Sequence, residues 1–183
     1  MTLGVSLATG ARRSFQTRRA RWRLRQRSAP FLPKRNLKPP RHSFNARLEE
    51  AAAKPLWRDA MRRSRCLVPA VGWYEWRESD RQPFYFFRRD GRLAAFAGLY
   101  CIADHPQTKA RIATCAFLTT QAQGALAEVH DRMPVALPEA AQQAWLERGE
   151  AATGVEELAY YPVRRLVNAS RAEGPELIEA LQE

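Results

Sequence analysis

The chain has 183 residues, 45% of them hydrophobic, with a formal net charge of +11; that length suffices for one domain with a sizeable core. No apolar run approaches a membrane span, and the start lacks the apolar stretch followed by small residues that marks a secretory signal, so the expected location is cytoplasmic, nucleoid-associated in a bacterium. The charge is unevenly placed: residues 1–42 hold twelve basic side chains and no acidic ones, leaving eighteen basic against nineteen acidic in the remainder, so the charge of the body does not by itself argue for nucleic acid.

In chain order, residues 1–37 read as a basic segment apart from the rest. Arginine is dense, apolar periodicity is poor, and Pro30 and Pro33, followed by Pro39 and Pro40, interrupt any regular element. Disorder is expected, with room for a short amphipathic helix over 11–27. The domain is expected over 38–183. Leu48 to Ala53 is helix-prone, and Pro55 can open a second helix through Arg63. A β series follows: Cys66–Ala70, Gly72–Arg77, then Phe84–Arg88 and Arg92–Cys101 as a hairpin around Asp90-Gly91, then Ala110–Thr119. Gln123–Val129 reads as a short helix weakened by Gly124, and Met133–Leu137 as extended. Pro138-Glu139 opens a helix to about Leu146 or Arg148, Glu156–Val163 returns to a strand, and Pro175–Leu181 closes with a short helix. The class is α+β: a single domain on a curled or barrel-like, mostly antiparallel sheet with peripheral helices.

Cys66, Cys101 and Cys115 are far apart, with no CxxC spacing. They read as reduced, buried small hydrophobes. No metal or cofactor is expected.

Three polar groups are locally out of place. Glu75 lies in Gly72-Trp73-Tyr74-Glu75-Trp76, where strand alternation sends Trp73 and Glu75 to one face and Tyr74 and Trp76 to the other. His130 opens the turn His130-Asp131-Arg132-Met133-Pro134, and Asn45 with Arg47 precedes a helix. A carboxylic acid against aromatic rings holds its proton more tightly, and a histidine titrates near neutrality, so the two make a usable proton-transfer pair. Arg47 and Arg132 carry planar forks suited to phosphate. The same residues also admit plain readings: a salt-bridged strand acid, a surface turn histidine, a helix-capping asparagine, a surface ion pair.

Several segments taken together resemble the SOS-response-associated peptidase family. They are Ser43-Phe44-Asn45-Ala46-Arg47, Arg65-Cys66-Leu67-Val68-Pro69-Ala70, Gly72-Trp73-Tyr74-Glu75-Trp76, Phe96-Ala97-Gly98-Leu99, Phe117-Leu118-Thr119-Thr120, Val129-His130-Asp131-Arg132-Met133-Pro134-Val135, Val167-Asn168 and Gly174-Pro175-Glu176-Leu177. They occur in the family's order over roughly residues 38–183. The resemblance implies binding to abasic sites in single-stranded DNA, with no membrane partner. It implies removal of Met1 and capture of the ring-opened sugar aldehyde by an N-terminal cysteine, first as a Schiff base, then as a thiazolidine DNA–protein cross-link. It assigns Asn45 to positioning, Glu75 to acid–base work, His130 to assisting proton transfer, and Arg47 and Arg132 to phosphates.

The chain departs from this pattern at its start. It begins Met1-Thr2-Leu3 where the family begins Met-Cys-Gly-Arg, and each of its three cysteines is internal, without the free α-amine that thiazolidine closure needs. Covalent capture is therefore expected to be impaired, and whether the chain is an enzyme is left open. Residues 1–37 are either a non-native sequence, from a shifted frame or misplaced start, or a genuine basic tail binding nucleic acid through phosphate charge. The alternatives to the family reading are a noncatalytic single-stranded DNA-binding module and a general basic nucleic-acid binder.

Overall fold

The computed structural model describes residues 44–104, 109–154, 157–169 and 171–181, with the backbone of three short strands at 5–6, 15–17 and 20–22. The strands are β1 (Val5–Ser6), β2 (Phe15–Thr17), β3 (Ala20–Trp22), β4 (Asn45–Arg47), β5 (Arg65–Ala70), β6 (Gly72–Trp76), β7 (Pro83–Arg88), β8 (Ala94–Asp104), β9 (Arg111–Gln121), β10 (Arg132–Pro134) and β11 (Leu158–Pro162). The helices are α1 (Leu48–Ala51), α2 (Arg58–Arg63) and α3 (Glu139–Arg148), with single 3-10 turns at Gly124–Glu128, Arg165–Asn168 and Pro175–Ile178.

Two sheets form the body. One has the order β1-β6-β7-β11; the other has the order β10-β9-β8-β5, with β4 added alongside β9. The pairings are antiparallel except β4 with β9, which is parallel. The α+β class with mostly antiparallel sheets thus holds.

Alternation along the strands sorts the side chains into layers. Trp73, Phe84 and Phe86 from the first sheet pack with Phe96 and Phe117 from the second, so an aromatic layer fills the space between sheets. Trp73 stacks on Phe86 at 5.4 Å and meets Phe96 edge-on at 5.2 Å, geometries that aromatic quadrupoles favour. The other face of the second sheet offers Ala97, Leu99, Cys101 and Leu118 to Ala51, Trp57, Ala60 and Trp145 of the helical layer. The outer face of the first sheet carries Tyr74, Tyr85 and Val163, with Trp76, Phe87 and Tyr161 beside them. The C-terminal segment is tied across that face by Tyr74 to the Leu177 carbonyl at 3.3 Å, Tyr161 to the Ile178 carbonyl at 2.7 Å, and Trp76 to Asn168 at 2.7 Å.

Local chemistry fixes the ends of these elements. Arg65 donates to the carbonyls of Trp145, Leu146 and Glu147 at the end of α3 and to Met61 in α2, so one cation serves two negative helix ends. Gly149 ends α3 at φ 78°, the left-handed region that glycine adopts without a Cβ clash. An open cleft of about 450 Å³ between these helices is lined by Arg58, Arg62, Arg65 and Arg148. Arg62, Arg65 and Arg148 sit where the two C-termini meet.

Four sequence expectations are corrected. The hairpin around Asp90-Gly91 is absent: β7 pairs with β6 and β11, and β8 pairs with β5 and β9. Asp90 instead accepts from Arg88 Nε, Arg92 N and Arg92 Nε at 3.0, 3.0 and 2.8 Å, closing a local turn through which the chain passes from one sheet to the other. The second helix starts at Arg58 rather than Pro55, because residues 53–57 form turns. Asn45 is not a helix cap but a strand residue. Phe15–Thr17 and Ala20–Trp22 pair as antiparallel strands rather than forming a helix over 11–27. The remainder of that segment lies outside the described residues.

Candidate functional site

Glu75 sits on β6, opposite Phe84 of β7 and two residues from Trp73. Its face is the one that looks into the layer between the sheets, and it is only 5% exposed. No described residue hydrogen-bonds its carboxyl group. Burial, and secondarily the negative charge of Asp131, push its pKa up to about 8. At neutral pH it is chiefly a neutral acid.

The charge of Asp131 also reports on arrangement, because Asp131 follows His130 directly. The turn Gly124–Glu128 feeds His130, whose backbone N–H bonds the Leu126 carbonyl at 3.1 Å, and the ring is buried at 6% exposure. Nδ1 lies 2.9 Å from the Arg132 backbone N–H and 2.9 Å from Asp131 Oδ1. The Arg132 carbonyl lies 3.1 Å from the same nitrogen, so Nδ1 faces one donor and two acceptors, and the ring tautomer sets which of them it serves. Nε2 is buried and has no partner.

Asn45 reaches the same layer from the other sheet. It pairs with Phe117, a member of the aromatic layer, and Arg47 pairs with Thr119 on the same face. Asn45 Oδ1 is buried without a partner. Arg47 is 64% exposed and only loosely paired with Glu50 at 3.5 Å. Arg132 behaves differently. Its Nη1 and Nη2 bond Glu49 Oε1 and Oε2 at 3.1 and 2.9 Å, and Nη2 also bonds the Thr119 carbonyl at 2.7 Å. Its fork is closed by a carboxylate, not open for a phosphate.

Glu75 and the His130 turn are thus within electrostatic reach of one another, and Asn45 and Arg47 line the facing strand. Among the described residues, the buried side-chain polar atoms lacking a partner are Asn45 Oδ1, Trp73 Nε1, His130 Nε2 and Arg132 Nε. Sequence reasoning named three of these residues as candidates and treated Trp73 as core. It also missed Glu49, whose signal, an acid in the first turn of a helix after Asn45-Ala46-Arg47, is too common to single out.

The cysteines lie elsewhere in this chemistry. Cys66 and Cys115 are free thiols, and burial pushes both up, Cys66 further than Cys115. A protonated thiol is a poor nucleophile. Near the start of the chain, β1 runs antiparallel to β6 with Val5 opposite Trp73 and Ser6 opposite Gly72, so it enters along the strand that bears Glu75. Among the described residues no helix is long and apolar enough to cross a membrane, and no cluster of three metal-ligating side chains occurs.

The two-sheet body, with the buried acid Glu75 on one sheet and the His130 turn within its electrostatic reach, defines an α+β domain. The family model described as SOS response associated peptidase (SRAP) matches residues 3–170, and the chain belongs to that family. Among curated relatives, the abasic site processing protein YoqW of Bacillus subtilis is 32% identical over 150 residues, 75% of this chain and 66% of that protein. The abasic site processing protein YedK of Escherichia coli is 33% identical over 158 residues, 78% of this chain and 68% of that protein. This chain therefore spans about two thirds of their length. A crystal structure from Bacteroides thetaiotaomicron shares the fold with a TM-score of 0.65 at 23% identity, covering 75% of this chain and 66% of that one. One from Bordetella bronchiseptica has a TM-score of 0.61 at 26% identity, covering 68% and 66%.

Proposed function

We propose that this chain binds abasic sites in single-stranded DNA, with Glu75 and His130 managing protons for imine chemistry at the lesion aldehyde. The observation that carries this reading is the buried acid Glu75, whose pKa is about 8 and which lies within electrostatic reach of Asp131, the neighbour of His130. The names of the curated relatives, abasic site processing proteins, point the same way.

The chemistry follows from the geometry. An amine adding to the aldehyde carbon gives a carbinolamine, and loss of its hydroxyl as water leaves the C=N bond. That departure needs a proton, which a neutral Glu75 donates, becoming the carboxylate that can take the proton back from the iminium nitrogen. His130, through Nε2, is a second group able to exchange a proton at the same centre. Asn45 Oδ1, an acceptor, orients the amine. Arg47 meets a flanking phosphate, as does Arg132 once its fork is released.

Wild-type protein, Thr2→Cys and Thr2→Cys/Glu75→Gln are mixed with an oligonucleotide carrying one abasic site, single-stranded or duplex. The expected result is preferential binding of the abasic single strand by the wild type. An adduct that survives denaturing gels without borohydride is expected for Thr2→Cys, formed about 10²-fold more slowly when Glu75 is Gln. No preference for the lesion and no Thr2→Cys adduct would overturn the reading. Replacing the eight arginines at positions 12–27 with glutamine, which leaves β1 and residue 2 in place, separates it from the general basic binder: loss of all DNA binding would assign recognition to that segment.

A further inference from the structure

We propose that Glu49 is a built-in competitor for Arg132, a carboxylate that fills the arginine's fork and is exchanged for a DNA phosphate on binding. The inference rests on the function proposed above and deepens it: it names the residue that sets how readily the site accepts a nucleic-acid backbone.

A carboxylate and a phosphate present the same two-oxygen edge to a guanidinium. Glu49 takes that edge end-on, through both Nη atoms. The Thr119 carbonyl takes a further Nη2 proton, and Nε has no partner. A phosphate cannot be held bidentate on the Nη pair while Glu49 stays. Glu49 is itself held, since Thr120 Oγ1 donates to its Oε1 at 3.0 Å. The Arg132 hydrogen bonds and charge lower its pKa to about 2, so it remains an anion at any working pH.

The second arginine supplies the contrast. Glu50 is bonded by Lys54 as well as by Arg47, and Arg47 is left 64% exposed at 3.5 Å. One arginine is open and the other is matched to an internal anion. A backbone phosphate alone meets a net cost at Arg132, because it must displace Glu49. A strand also held by its lesion in the interlayer brings other contacts that can drive the exchange. Competition of this kind lowers affinity for undamaged DNA more than for the correct ligand, which is specificity by exclusion.

The test is a double-mutant cycle on the full chain, with fluorescence anisotropy on an undamaged single-stranded oligonucleotide. Glu49→Gln is expected to bind more tightly than wild type. One additional phosphate contact steepens its salt dependence, which adds about 2.6-fold to the affinity lost between about 50 and 200 mM salt, at a slope of about 0.7 per single-strand phosphate. In an Arg132→Gln background the same substitution is expected to change nothing. Thr120→Val loosens Glu49 without altering charge and is expected to shift affinity in the same direction by less. Tighter binding that persists without Arg132, or binding unchanged or weakened by Glu49→Gln in a chain that otherwise binds DNA, overturns the competitor role alone. Absence of binding by every form overturns the underlying function as well.

Discussion

Replacing Glu75 with glutamine should alter the pH dependence of stability in a way that can be worked out beforehand. The carboxyl has a pKa of about 8 in the fold against an ordinary 4.5, so between those values the folded chain holds a proton that the unfolded chain has released. Its contribution is fully present below 4.5 and is lost as pH rises toward and through about 8. At about 1.4 kcal/mol per pKa unit, the whole excursion is about 5 kcal/mol, of which about 2.5 kcal/mol falls between about pH 5 and pH 7. Glutamine keeps the shape of the neutral acid and has no proton to lose. Urea denaturation of both proteins across that range should therefore show the wild type losing about 2.5 kcal/mol relative to Glu75→Gln. Parallel stability curves would mean that Glu75 carries no extra proton in the fold, and its role as the acid in imine formation would go with it.

Two further outcomes follow from the same packing. A Cβ at Gly72 would meet the Phe86 carbonyl oxygen and the Tyr85 ring, neither of which can yield without moving β7. Gly72→Ala should thus cost about 1–3 kcal/mol in chemical denaturation and disturb the strand that bears Glu75. Cys66 and Cys115, with thiols raised by burial, should resist a thiol-specific disulfide reagent in the native protein. Both are half-buried and should react at once in denaturant; rapid native labelling of either would refute the raised thiol pKa.

Much of the domain could be read from the chain because its signals are local. The alternation through Gly72-Trp73-Tyr74-Glu75-Trp76 placed Trp73 and Glu75 on one face, and the structure puts that face on the interlayer. Pro138 at the N-cap, before Glu139 as the first helical residue, and left-handed Gly149 bracket α3. What escaped was non-local. β4 has only three residues and exists because β9 accepts it in parallel register, a pairing that no periodicity over three residues can announce. The Asp90-Gly91 turn has hairpin chemistry, but the strands on either side bury different faces and so belong to different sheets. Glu49 and Arg132 are 83 residues apart, and their pairing depends on where α1 meets β10.

The distribution of unmet hydrogen bonds separates a site from a core defect. Other indoles of the domain are satisfied: Trp145 Nε1, fully buried, bonds the Cys66 carbonyl at 2.9 Å, and Trp76 Nε1, half-buried, bonds Asn168. Trp73 lies on the same strand as Trp76, yet its Nε1 is left without a partner at 0% exposure. Each such atom costs about 1–3 kcal/mol relative to a satisfied one, so scattered orphans would be expected to be few and unrelated. Here they fall on residues of β4, β6 and β10 and the turn before β10, and Glu75, on β6, lies within electrostatic reach of that turn. A packing fault would be relieved by an apolar substitution at no loss. A site keeps the unmet donors and acceptors because a ligand supplies what they lack, and the mixture here, an acceptor at Asn45 with a donor at Trp73, suits a ligand that itself both donates and accepts. A carbinolamine, bearing one hydroxyl and one amine on the same carbon, does both.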